Sequence, residues 1–125
     1  MDQKKLKYSA KKFQELCTEF QSMEQAIYGW KLNEYSSSSN DDCLQNFRDV
    51  ATFLNCRMEV VALFYLMKHI QSIAQAVKEN RYVWEWQTPS GEGLKQRLGD
   101  VRNYILLLAA CLDETSSIKN EKGVK

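Results

Sequence analysis

Phe13, Leu16, Phe20, Met23, Ile27 and Trp30 follow one another at steps of three and four without a miss. That spacing returns an apolar side chain to one face of an α-helix turn after turn, whereas a strand needs a step of two. The pattern recurs along the chain, and a single proline is available to interrupt it. An all-α fold is the direct consequence. The first helix is predicted over about residues 9–32, with Gly29 near its end weakening it by about 1 kcal/mol.

Residues 35–42, YSSSSNDD, read as a polar loop closing on residues suited to begin a helix. A short second helix is expected over about 42–54, with Leu44, Phe47, Ala51 and Leu54 on one side. Asn55 and Cys56 break it. A third helix over about 57–79 carries Val60, Leu63, Phe64, Met67, Ile70, Ala74 and Val77 as its main stripe and Leu66, His69, Ile73 and Ala76 as a second apolar flank. Apolar on two sides, it is expected to be the central element. Residues 80–93 form a connection in which Tyr82, Trp84 and Trp86 allow a brief extended piece, while Pro89, Gly91 and Gly93 argue against regular structure in the second half. Trp84 and Trp86 either staple this loop to the helices or engage a partner. The fourth helix, about 94–114, has a seam of Leu94, Leu98, Val101, Ile105, Leu108 and Leu112 and a second stripe of Asp100, Tyr104, Leu107 and Cys111. The whole chain, 1–125, thus reads as one four-helix bundle with frayed basic ends at about 1–8 and 115–125. The second stripe on the last helix exceeds what a lone small bundle needs. Tyr104, Leu107 and Cys111, with Trp84 and Trp86, are therefore expected to meet a neighbouring helix or the second subunit of a homodimer.

A formal net charge of +1 argues against a nucleic-acid binder that works through bulk electrostatics. Cys17, Cys43, Cys56 and Cys111 include no CxxC pair, and His69 is the only histidine, so neither a zinc site nor a cysteine–histidine nucleophile is expected. Gly91-Glu92-Gly93 lacks the lysine of a phosphate loop. No secretory leader pattern opens the chain, and no uninterrupted apolar run approaches the ~20 residues that span a bilayer. A cytoplasmic protein with reduced cysteines and no metal or other cofactor is expected.

What remains is a polar constellation at the mouths of oily helices. Asp100 and Asn103 open the apolar run of the last helix, and Lys68-His69 interrupts the third. A lysine suits a phosphate, an asparagine the edge of a base or a ribose, and a histidine titrating near neutrality either donates or accepts. The alternative is purely architectural: Asp100 pairs with Lys68 or Arg97, His69 bonds a backbone carbonyl, and Asn103 ties two helices.

Three fragments, DCLQNF at 42–47, MKHI at 67–70 and GDVRNYILLL at 99–108, occur in this order. In order and spacing they resemble a family of short phage and prophage proteins of unassigned function, with Asp42, Asn46, Phe47, Lys68, His69, Asp100, Asn103 and Tyr104 at the matching positions. The resemblance covers about residues 42–114. More distantly, the same segment is similar to the all-α nucleotide pyrophosphohydrolases of the MazG and dUTPase kind. In those enzymes four carboxylates, in an ExxE and a later ExxD, hold Mg²⁺ against a triphosphate. Here the corresponding strings run from Lys68 to Gln75 and from Arg97 to Val101, so three ligand positions are neutral or basic and Asp100 alone is acidic.

The resemblance implies a phage-type helical protein of the host cytoplasm that binds a nucleotide-like ligand without catalysing its hydrolysis. Its ligand-binding candidates are Lys68, His69, Asp100, Asn103, Asp42 and Asn46. Two other readings stay open. One is an oligomeric or protein-interaction module, such as an inhibitor of a host defence component. The other is a Mg²⁺-dependent NTP pyrophosphohydrolase with a rearranged metal site, a cluster of Asp42, Asp49 and Asp100 being the conceivable one among acids that also include Glu59, Glu15 and Glu19.

Overall fold

A computed structural model describes residues 7–36 and 42–121, with side chains from 7 to 26 and from 42 to 120. Ile27 and Trp30 of the first apolar seam, and Lys4, Lys5, Lys122 and Lys125 of the basic ends, lie outside the described side chains. The chain divides into two units, Met1–Asp41 and Asp42–Lys125. The first holds α1 (Ala10–Ser36). Ser9 starts it, because its Oγ accepts the Lys12 N–H at 3.1 Å and its carbonyl accepts the Phe13 N–H at 3.0 Å. The first bond satisfies one of the donors that a helix start leaves without a partner, and the second is the first intrahelical bond. Within the apolar seam of α1, Phe20 is buried, Leu16 and Met23 are half-buried, and Phe13 is exposed.

The second unit contains α2 (Gln45–Leu54), α3 (Met58–Glu79), a two-residue strand pair β1 (Gln87–Thr88) and β2 (Gly91–Glu92), and α4 (Leu94–Glu121). The all-α expectation holds: four helices carry nearly all of the described structure. α3 is central, lying along α4 on one side and contacting α2 on another. α2 and α3 both stop on an asparagine in the left-handed conformation, Asn55 at φ 53° and Asn80 at φ 53°. In each case the next N–H reaches back to the helix, Cys56 to the Ala51 carbonyl and Arg81 to the Ala76 carbonyl, both at 3.0 Å. Asparagine tolerates that geometry better than most residues, so both breaks are written into the sequence.

The core is assembled from Leu44, Phe47, Ala51, Met58, Val61, Ala62 and Cys111, with Val50, Tyr65, Tyr104, Leu107 and Leu108 packed against it. Several expectations change here. On α3 the inner face is the second flank, continued by Met58, Val61, Ala62 and Tyr65, while every member of the main stripe points outward. Small Ala62 and Cys111, both 0% exposed, mark the close contact of α3 and α4. On α4 the expected seam holds through Val101 and then rotates, so that Tyr104, Leu107, Leu108 and Cys111 turn inward and Ile105 and Leu112 turn outward. Tyr104, Leu107 and Cys111 therefore pack with α2 and α3 of the same chain, the neighbouring-helix alternative, with Tyr104 and Leu107 left half-buried. Leu54 is exposed rather than part of the α2 contact. α4 also continues past Glu114 to Glu121, through residues expected to fray.

The connection departs from expectation in its second half, where Gln87 pairs with Glu92 and Thr88 with Gly91 in an antiparallel hairpin. Pro89 follows the first strand at the turn, Gly91 adopts φ 142°, and Thr88 Oγ1 donates to the Gly91 carbonyl at 2.9 Å. Proline and glycine here shape a tight turn rather than forbid order. The hairpin folds back on the start of α4: the Gly93 N–H donates to the Trp86 carbonyl at 3.0 Å and the Leu94 N–H to the Val83 carbonyl at 2.9 Å. By length and composition α3 is the one described helix apolar enough to cross a membrane, with a mean hydropathy of 1.3, although Lys68 and His69 stand at its middle.

Candidate functional site

Tyr65, Lys68, His69 and Ser72 recur on α3 at steps of three, one and three, which places them on a single face. Opposite them α4 presents Arg97 and Asp100, one turn apart, and the hairpin adds Glu92. These seven residues line one open cleft of about 450 Å³, within the range of small-molecule sites. Arg97 Nη1 donates to Ser72 Oγ at 3.2 Å, which ties α4 to α3 across it. Gln96 Nε2 donates to Asp100 Oδ1 at 3.2 Å and holds that carboxylate in place. A second hollow of about 170 Å³ adjoins through the shared Glu92 and Arg97, lined further by Arg81, Tyr82, Thr88 and Ser90.

An aromatic ladder runs from two of these lining residues, Tyr65 and His69, into the core. The His69 ring stacks on Tyr104 with centroids 4.8 Å apart and planes at 28°, and Tyr104 stacks on Tyr65 at 6.0 Å and 26°. Phe47 closes the ladder from α2, 6.1 Å from Tyr65 and 6.4 Å from Tyr104. His69 is thereby held with its imidazole plane fixed, and Lys68 Nζ lies 5.9 Å from the centroid of the Phe64 ring. Neither Lys68 nor Arg97 forms an ion pair with Asp100, so the cleft is not closed by the architectural pairing considered above.

The remaining candidates fall elsewhere. Asp42 belongs to an ion cluster: Arg48 Nε donates to its Oδ2 at 2.5 Å, and the same guanidinium grips Glu114 through two nitrogens, with Nη1 to Oε2 at 2.9 Å. Asp42 also accepts the Leu44 N–H at 3.0 Å, which organises the turn before α2 rather than capping the helix itself. Asn46 is exposed on α2, and Asn103 is half-buried on α4 outside the cleft lining. Trp86 lies against Gly99, where an added Cβ would meet its ring at 3.1 Å; Trp84 carries Lys95 Nζ at 5.3 Å from its ring centroid. The aromatic loop is stapled to α4 by these contacts. Tyr65, Ser72, Glu92 and Arg97 were missed as cleft residues. The first two were signalled by their spacing around Lys68-His69; nothing local in the sequence pointed to Glu92.

The Arg48 guanidinium holds the Asp42 carboxyl below the usual aspartate range, and Arg48 itself is pushed further up by its two carboxylate partners. Because folding depresses the Asp42 pKa, its contribution is complete above the unfolded value near ~3.9 and fades as pH falls through the folded value. Arg48 is partly solvated, so about 0.5–1 kcal/mol is expected from this pair. Urea unfolding from neutral pH to below pH 4 checks it: Asp42→Asn lowers stability at neutral pH and removes part of the acid-induced loss. Burial pushes the Cys111 thiol up, and Glu59 and Glu114 add to the effect, so this cysteine stays protonated and serves as a small apolar group.

Among the described residues no three His, Cys, Asp or Glu side chains gather as a metal-binding group. The rebuilt acidic cluster does not assemble: Asp42 is engaged by Arg48, Asp49 accepts from Gln45 Nε2 at 2.8 Å, and Glu59 accepts from Thr115 Oγ1 at 3.3 Å. Asp100 shares its cleft with Lys68 and Arg97, a donor set that does not fit the Mg²⁺ cradle of the pyrophosphohydrolases. No protein family, curated protein or solved structure matches the chain.

Proposed function

We propose that the cleft between α3 and α4 binds a small phosphate-bearing, nucleotide-like molecule, on a scaffold similar to the MazG-type helical bundles but without their metal-dependent hydrolysis. The observation that carries this reading is the convergence of Lys68 and Arg97, from two helices, in one open cleft with Asp100, Glu92 and His69. Two cationic side chains at the rim suit a phosphate, and arginine adds planar, multi-donor recognition that lysine lacks. Asp100 and Glu92 supply acceptors for ribose hydroxyls or an exocyclic amine. The resemblance of DCLQNF, MKHI and GDVRNYILLL to short phage proteins supports the same reading, and with it a site of action in the host cytoplasm. Hydrolysis is left out because Asp100 and Glu92 share the cleft with two cations, where a Mg²⁺-assisted mechanism needs a surplus of carboxylates.

Thermal unfolding against a panel of ribo- and deoxyribonucleoside mono-, di- and triphosphates tests this. A nucleotide present at ~100 times its Kd stabilises by about 2.7 kcal/mol, a rise of roughly 10 °C in Tm for a chain of this size. Lys68→Ala and Arg97→Ala are each expected to weaken binding by about tenfold or more, because each removes a charge-assisted bond. A flat response across the panel, or a shift untouched by both variants, contradicts the reading.

A further inference from the structure

The outer face of α3 belongs to neither the core nor the cleft. Val60, Leu63, Met67, Ile70 and Val77 are each 44–57% exposed, and Ala74 is exposed between them. Their steps are three, four, three, four and three. That 3.5-residue period is narrower than the stripe with which a globular helix meets its own core, and it is the period of a seam between two paired helices. The inner face of the same helix, with Met58, Val61, Ala62, Leu66 and Ala76, is filled by α2 and α4. At 100° per residue the centres of the two faces lie well over a right angle apart, so α3 keeps one side that neither α2 nor α4 covers.

The spacing of the seam is the same in both directions, although its residues are not, since Leu63 mirrors Ala74 and Met67 mirrors Ile70. Its midpoint falls between Lys68 and His69, which is the midpoint of α3, Met58–Glu79. Symmetric spacing lets every seam position meet a seam position of an antiparallel copy, and in an isologous two-fold contact each copy offers the other the same patch. We infer that the outer face of α3 pairs with α3 of a second copy of this chain, antiparallel, about a two-fold axis at the Lys68–His69 midpoint. In that register Val60 lies opposite the partner's Val77, Leu63 opposite the partner's Ala74, and Met67 opposite the partner's Ile70. The two layers beside the axis each pair Met67 with Ile70, where the flexible methionine side chain adapts to the twofold contact.

Area and charge agree with this occupant. The exposed parts of these side chains, with flanking Phe64, amount to roughly 550 Å² per copy and about 1,100 Å² per pair, just past the ~1,000 Å² expected of a specific interface. The positions flanking the seam are Glu59, Phe64, Leu66, Gln71, Ile73 and Lys78, so charge is confined to the two ends and pairing desolvates none at the middle turns. Lys68, His69 and Ser72 face away into the cleft, which leaves the pairing independent of whether the cleft binds a nucleotide.

Analytical ultracentrifugation of the full chain across a concentration series tests the pairing, with circular dichroism to verify helix content. Wild type is expected to sediment at twice the 14.6 kDa chain mass, and Met67→Glu at the monomer mass with unchanged helicity, its dissociation constant raised at least a hundredfold. The register is tested by M67E/I70K in one chain. In the antiparallel pair these substitutions set opposite charges across from each other, and the double variant regains the dimer at low salt. A parallel pair would set like charges together and stay apart. A monomeric wild type overturns the inference, as does a dimer that Met67→Glu leaves intact or one that the double variant fails to restore.

Discussion

Replacing Phe47 with alanine is expected to lower the stability of the chain by about 3–5 kcal/mol, the range for a buried phenylalanine whose cavity cannot collapse. Phe47 is buried in α2 and closes the ring ladder through Tyr65 and Tyr104 to His69. Few large side chains share the load, since among the described residues the inner contact of α3 and α4 is built around Ala62 and Cys111. Against a typical total of about 5–15 kcal/mol, such a loss leaves a substantial unfolded fraction at ambient temperature. Phe53, six residues along the same helix and 87% exposed, is the matched control. Phe53→Ala is expected to move stability by no more than about 0.5 kcal/mol. Urea midpoints of the two variants decide the matter, and equal losses would contradict the packing described here.

The second large effect is expected at Gly93. A Cβ there would fall 1.8 Å from the Glu85 carbonyl oxygen and 2.5 Å from its carbon, both backbone atoms that no rotamer change can move aside. Gly93→Ala must displace the hairpin from the start of α4 and break the bonds from Gly93 N–H to Trp86 and from Leu94 N–H to Val83. Overpacking together with two lost backbone bonds amounts to about 3 kcal/mol. The same displacement removes Glu92 from the cleft, so any nucleotide-dependent rise in Tm is expected to shrink with it. A variant that unfolds like wild type in urea would show that the close approach of Gly93 to Glu85 is not maintained in solution.

The positions of the helices were legible because apolar spacing and chain breakers agree. The third helix was expected over 57–79 and is found at Met58–Glu79, bounded by Asn55 and Asn80 in conformations that asparagine tolerates. The facing of that helix was not legible. Both of its sides are apolar, and hydrophobicity alone assigns the bulkier stripe to the core. The structure buries the other one, where Ala62 lets α4 come close and Tyr65 and His69 find Tyr104 to stack upon. α4 posed the same ambiguity, and its inward face drifts from one stripe to the other at Val101. Of the candidate site, Lys68, His69 and Asp100 were readable as polar residues set in oily helices, and they do converge. Asp42 was readable as a residue that caps the second helix, but the cluster in which Arg48 joins it to Glu114 depends on a residue 66 positions from Arg48 along the chain, which no local pattern announces. Glu92 enters the cleft only because Pro89 and Gly91 close a hairpin.

Chemical-shift mapping of the ¹⁵N-labelled chain, titrated with whichever nucleotide raises Tm most, tests the binding cleft most directly. Saturable shifts are expected at Tyr65, Lys68, His69, Ser72, Glu92, Arg97 and Asp100, with the His69 imidazole resonances moving alongside them and Asn46 and Arg48 unmoved. Shifts centred on α2 or on the outer stripe of α3, with the cleft silent, would contradict it.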